Sequence, residues 1–173
     1  MYRKDLYIKF DIIKRLGVIS DDKFEIQFNY VSWNGESLKY EIRRWSKDGL
    51  KPMKGFSFSE LQNIKKAIKN IKYDYFTQKV IKEITNELFT CKFYDILETL
   101  SESEQWIRII SIVDWNFGMR LDLRAWSTDY KSVGKGILIT FKQAEEFLTL
   151  LNNMTSSKND EVENEDIDSS LFI

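Results

Sequence analysis

The chain has 173 residues, 43% hydrophobic and 14% aromatic, with one cysteine and no histidine. The single thiol excludes an internal disulfide, and without histidine or a glycine-rich phosphate loop most common nucleophilic, metal and nucleotide sites are missing; no catalytic residue, metal ligand or cofactor is expected, and the chain is not read as an enzyme. Net charge is −1, but it divides unevenly: 25 basic and 21 acidic side chains precede Thr155 (net +4), and six carboxylates with Lys158 follow (net −5), an asymmetry that points towards nucleic acid.

In chain order, Phe10–Ser20 and Phe24–Trp33 read as antiparallel strands joined at Asp21–Asp22, with Phe24, Ile26, Phe28 and Tyr30 alternating against Glu25, Gln27 and Asn29. Asn34–Gly35 tolerates positive φ and predicts a tight hairpin turn. The third strand, Leu38–Trp45, places Leu38, Tyr40 and Ile42 on one face and Lys39, Glu41, Arg43 and Trp45 on the other. A polar loop leads to a short strand at Gly55–Phe58, and the capping box Ser59-x-x-Gln62 opens a predicted helix over Glu60–Tyr73. In Asp74–Thr90 a stripe of Val80, Ile81, Ile84 and Leu88 predicts a helical connector. Strands follow at Phe93–Leu100 and Trp106–Trp115, with a turn at Ser101–Glu104. A bulge in the second strand would reconcile the two alternations Ile107–Ile109 and Ile110–Ile112. Thr140-x-x-Gln143 opens the last helix, and the polar segment from Thr155 on predicts a disordered acidic tail with an apolar tip. No apolar run is long enough to cross a membrane, so the expectation is a cytoplasmic protein of a bacterium or of an infected host cell.

The segment Val31–Gly55 recurs at Val113–Gly136. Trp33-Asn34 matches Trp115-Asn116, Arg43 and Trp45 match Arg124 and Trp126, and Lys54-Gly55 matches Lys135-Gly136. The expected organisation is a first repeat over 1–73, the connector over 74–90, a second repeat over 91–154 and the tail over 155–173. Each repeat is a β-β-β-β-α unit, too small to close a core alone, so the two complete one another. In the second copy Leu121, Leu123 and Ala125 take the apolar side of the strand, and Arg120, Asp122, Arg124 and Trp126 the charged side. Both tryptophans thus share a face with arginines, which are the groups that stack bases and neutralise phosphates of single strands. The residues leave open a purely structural use, with arginine lying over tryptophan as a cation–π pair. Trp33 and Trp115 either anchor the hairpin turns or join the contact. Glu41 and Asp122 are read as partners of neighbouring basic side chains.

The paired WN, IRRW or LRAW, and KG blocks resemble the single-stranded DNA-binding domain of the coactivator positive cofactor four, and more closely its short bacterial YdbC-like members. The resemblance implies an α+β fold in which helices pack two units together and curved antiparallel sheets present a basic, aromatic groove. It implies DNA contact by Lys39, Arg43, Trp45, Lys51 and Lys54 in the first copy, and by Arg120, Arg124, Trp126, Lys131 and Lys135 in the second. Members usually carry one domain per chain, so this chain is expected to be an intramolecular pseudo-dimer, as a monomer or paired again as a homodimer. The segment Asp166, Ile167, Asp168 to Leu171, Phe172 and Ile173 is similar in kind to the tails of other single-strand binders, which implies recruitment of replication or recombination proteins. The expected ligand is single-stranded DNA, with RNA as the other candidate. The expected role is replication, recombination or repair in a phage or bacterium; a transcription regulator holding melted DNA is the alternative.

Overall fold

A computed structural model describes residues 9–19, 23–72 and 74–163. The fold is α+β, with two antiparallel sheets and two helices. The first sheet holds β1 (Phe10–Ile19), β2 (Glu25–Trp33), β3 (Lys39–Trp45) and β4 (Pro52–Phe58) in chain order, followed by α1 (Leu61–Lys69). The second holds β5 (Lys82–Thr85), β6 (Thr90–Glu102), β7 (Trp106–Asp114), β8 (Met119–Ser127) and β9 (Val133–Ile139), followed by α2 (Phe141–Glu163). Tight turns produce these meanders. Asn34 and Gly35 take φ of 52° and 76°, and Glu36 N–H donates to the Trp33 carbonyl at 2.9 Å, the geometry that suits the twist of paired strands.

The main apolar core crosses between the sheets. Phe28 and Ile42 of the first sheet, Ile110 and Leu123 of the second, Ile64 of α1 and Phe147 of α2 all belong to it. Each helix reaches the other half: α1 packs on β6, with Lys66 Nζ 3.4 Å from Glu98, and α2 packs on β1. The Phe147 ring stands edge-on to Phe28 at 5.0 Å. At Gly17 of β1 a Cβ would come within 2.5 Å of Leu150, so the glycine lets α2 approach.

Several elements differ from the sequence expectation. Bulges fall in β6, at three places between Phe93 and Ser101, and not in β7, which pairs with β8 without a break. Ile109, Ile110, Ile112 and Val113 are all buried because both faces of β7 are covered, and such a strand needs no alternation. The connector is not a helix. It is one 3-10 turn at Tyr75–Thr77 and the strand β5, which forms a hairpin with β6. Val80, Ile81 and Leu88 of the helical stripe are exposed, and the Asn86 side chain accepts from Leu88 N–H and Phe89 N–H to build the turn.

α1 ends at Lys69, four residues short of Tyr73, which lies outside the described residues. Beyond it the chain turns so that Tyr75 is buried and its hydroxyl donates to Asp95 at 3.0 Å. The Ser59–Gln62 box is not made, since α1 starts from Glu60 without a side-chain cap. The Thr140–Gln143 box is made in both directions, at 2.9 and 3.2 Å. α2 runs on to Glu163, into the segment expected to be disordered, because extending a helix already nucleated is cheap where no glycine or proline intervenes. The Asp21–Asp22 turn and the tail set Asp166, Ile167, Asp168, Leu171, Phe172 and Ile173 lie outside the described residues. No helix among the described residues is long and apolar enough to cross a membrane.

Candidate nucleic-acid interface

The face of β3 and β8 that carries Trp45 and Trp126 is covered, and both indoles are fully buried. Phe10 of β1 stands edge-on to Trp45 at 5.1 Å. Trp126 stacks on Trp115 at 5.4 Å and also meets Phe89, Phe93 and Tyr130. Neither ring has a face free for a base, which corrects the expectation that these two tryptophans are stacking platforms. Alternation assigned them to the side away from the main core correctly. It carried no information about cover: β1 and β6, each bent by register slips against its neighbour, bring Phe10 and Phe93 onto that side.

Beside each buried tryptophan lies an ion pair. Arg43 Nε donates to Glu41 Oε1 at 2.7 Å, and Glu41 Oε2 accepts from Trp33 Nε1 at 2.8 Å and Ser57 Oγ at 2.9 Å. The Arg43 guanidinium lies over the Trp33 ring at 4.6 Å. In the second sheet Arg124 Nε donates to Asp122 at 2.6 Å and lies over Trp115 at 4.9 Å. Burial pushes the Asp122 carboxyl up to about 6, with Arg124 pulling against it; the contribution of Trp115 is small, since its Nε1 makes no hydrogen bond of normal geometry. Glu41 and Asp122 are therefore partners of basic side chains, and Trp33 and Trp115 support the arginines beside their turns. Arg43 and Arg124 retain side-chain exposures of only 17% and 13%, so both are committed internally. The Lys-Gly pairs have a packing reason as well: Gly55 and Gly136 sit opposite these arginines, and a Cβ at Gly136 would fall 2.2 Å from that of Arg124.

The remaining cations lie nearer the surface. Lys51, Lys54, Lys131 and Lys135 are exposed, and Lys39 and Arg120 are half-buried. Arg120 donates to the Met119 carbonyl at 2.7 Å and has Phe117 beside it at 6.0 Å. Lys51 and Lys131 are presented by turns of one design. Asp48 accepts from Leu50 N–H and Asp129 from Lys131 N–H, each at 3.0 Å, while Ser46 and Ser127 bond across the turn base. The only cysteine offers no nucleophile, since burial pushes the Cys91 thiol up to about 12.

One feature was not read from the sequence. Where the two sheets meet, a cleft of about 360 Å³ opens, lined by Arg43, Phe56, Trp106, Arg108, Gly134 and Lys135 among others. Arg108 reaches from β7 to the Ser57 carbonyl of β4 and lies over Phe56 at 4.3 Å. Arg44 reaches from β3 to the Leu138 carbonyl of β9 at 3.1 Å. Arg43 and Lys135, singled out in separate copies of the repeat, share this cleft, whereas the two copies of the Arg-x-Trp motif remain in their own sheets. The one sequence signal was Trp106, the tryptophan that falls outside the matched segments Val31–Gly55 and Val113–Gly136. No protein-family model and no curated protein matches the chain.

Proposed function

We propose that the chain binds single-stranded DNA with little sequence preference, in replication, recombination or repair, its two halves forming a covalently joined pseudo-dimer. The observation that carries this reading is the cleft between the sheets, where Arg108 and Lys135 meet an exposed tryptophan and no acidic side chain is among the lining residues, while Arg43, which also lines it, is balanced by Glu41. Cations beside an aromatic ring suit a flexible strand, whose bases are free to leave their stack. Lys51, Lys54 and Lys131 extend the positive surface as phosphate contacts. Trp45 and Trp126 serve as the buried ballast of the sheets that hold these groups. The acidic C-terminal segment competes with DNA for the cations and recruits partner proteins.

Titrating the full chain with labelled oligo(dT) tests the reading. Binding should weaken with salt, log K falling by about 0.7 per log unit of salt for each phosphate neutralised. Replacing Lys51, Lys54, Lys131 and Lys135 together by alanine should flatten that slope. Absence of binding at low salt, or equal affinity for duplex DNA, would overturn the proposal.

A further inference from the structure

We infer that the cleft between the sheets is a subsite for a single nucleotide of the bound strand, with Trp106 as the platform for its base and Lys135 as the contact for its phosphate. The inference rests on the single-strand reading above and gives it a residue outside the matched segments Val31–Gly55 and Val113–Gly136. Trp106 begins β7 and is 40% exposed, unlike Trp45 and Trp126. Its backbone is held at both ends of the residue: Trp106 N–H donates to Ser103 Oγ, and the Ser103 hydroxyl donates to the Trp106 carbonyl, each at 3.1 Å.

The neighbours let the ring edge lie close against the strands. A Cβ at Gly134 would stand 3.0 Å from Ala125 Cβ and 3.3 Å from Trp106 Cζ3, so the indole edge lies along a floor made of the two smallest residue types. The floor has no counterpart in the other sheet. By strand register and sequence match, Ala125 corresponds to Arg44 and Gly134 to Met53, side chains that would fill the same space. One subsite per chain follows.

The lining also sets the charge. Arg43 is neutralised by Glu41, and Arg108 is tied to the Ser57 carbonyl while meeting no carboxylate among the described residues. Lys135 is exposed on β9 and has no ion-pair partner among the described residues, which leaves its ammonium for a phosphate. At about 360 Å³ the cleft lies within the range of small-ligand sites and suits one base with its phosphate.

The test is oligo(dT) binding by the full chain, read by anisotropy of a labelled oligomer. Trp106→Ala should weaken binding roughly 10- to 100-fold at unchanged salt slope, because stacking displaces no counterion. Trp106→Phe should restore most of the loss. Gly134→Met, which installs the side chain of the first sheet and pushes the indole off its floor, should match the loss although the tryptophan itself is kept. Lys135→Ala should reduce the slope by about 0.7. If wild type, Trp106→Ala and Gly134→Met bind alike, the subsite is wrong and the single-strand reading stands. If wild type binds no single strand, both fall together.

Discussion

In the first sheet the cross-strand pair Ile26–Arg44 carries its arginine on β3; in the second, the pair Arg108–Ala125 carries it on β7. Each guanidinium crosses the seam to a backbone carbonyl of the opposite sheet, Leu138 on β9 or Ser57 on β4. The same join is thus made from opposite members of a strand pair. The choice has a by-product: with its arginine on β7, the second sheet keeps alanine on β8, which with Gly134 lines the cleft, whereas the first sheet carries Arg44 and Met53 at the matching positions. The outer faces differ too. The first sheet buries Gln27 and Asn29, which hydrogen-bond to each other at 3.1 Å, where the second buries Ile109 and Ser111. Among the described residues Trp45 meets one aromatic ring, Phe10, and Trp126 meets four.

The comparison breaks most easily at the buried tryptophans. Trp126→Ala should cost about 3–5 kcal/mol in urea unfolding. Trp45→Ala should cost about 1 kcal/mol less, for want of the extra ring contacts. A large loss of DNA affinity with stability intact in either variant would restore these residues as binding platforms.

A second contrast lies in pH. The folded protein holds the Asp122 proton to about pH 6, whereas an unperturbed aspartate releases it near 3.8. This carboxyl therefore favours folding most below pH 3.8, and that contribution is lost as pH rises through about 6. Two pKa units correspond to about 3 kcal/mol. Unfolding of Asp122→Asn measured between pH 4 and 7 should lack this part of the slope, and a variant with the wild-type profile would place the titration elsewhere.

The smallest contrast is at the helix starts. Thr140→Ala removes a formed capping box and should cost about 1 kcal/mol, while Ser59→Ala, whose box is not made, should change thermal unfolding by less than about 0.3 kcal/mol. Equal effects would mean that α1 is capped in solution as α2 is.

Elements with their own local signal were legible in the chain. The strands around Asn34–Gly35, the two-sided pattern of β3 and β8, and the pairing of Glu41 and Asp122 with arginines all follow from backbone periodicity and charge placement, which act over a few residues. The connector misled because Val80, Ile81, Ile84 and Leu88 fall at helical spacing by chance, and the pairing of Lys82–Thr85 with β6 outweighs that pattern. At the candidate site, the exposed lysines were legible as residues that nothing demands inside, and the cleft was not, since its walls come from β3, β4, β7, β8 and β9.

By itself the sequence determined which side of its strand Trp45 and Trp126 occupy and that the chain turns at Asn34–Gly35. Tertiary structure decided which of those sides is covered. Side-chain direction is a property of the local backbone, whereas exposure depends on what distant segments bring overhead. Trp45 and Trp126 share a face with arginines and are nonetheless buried, and Trp106, which no local pattern marks, stands at the open seam.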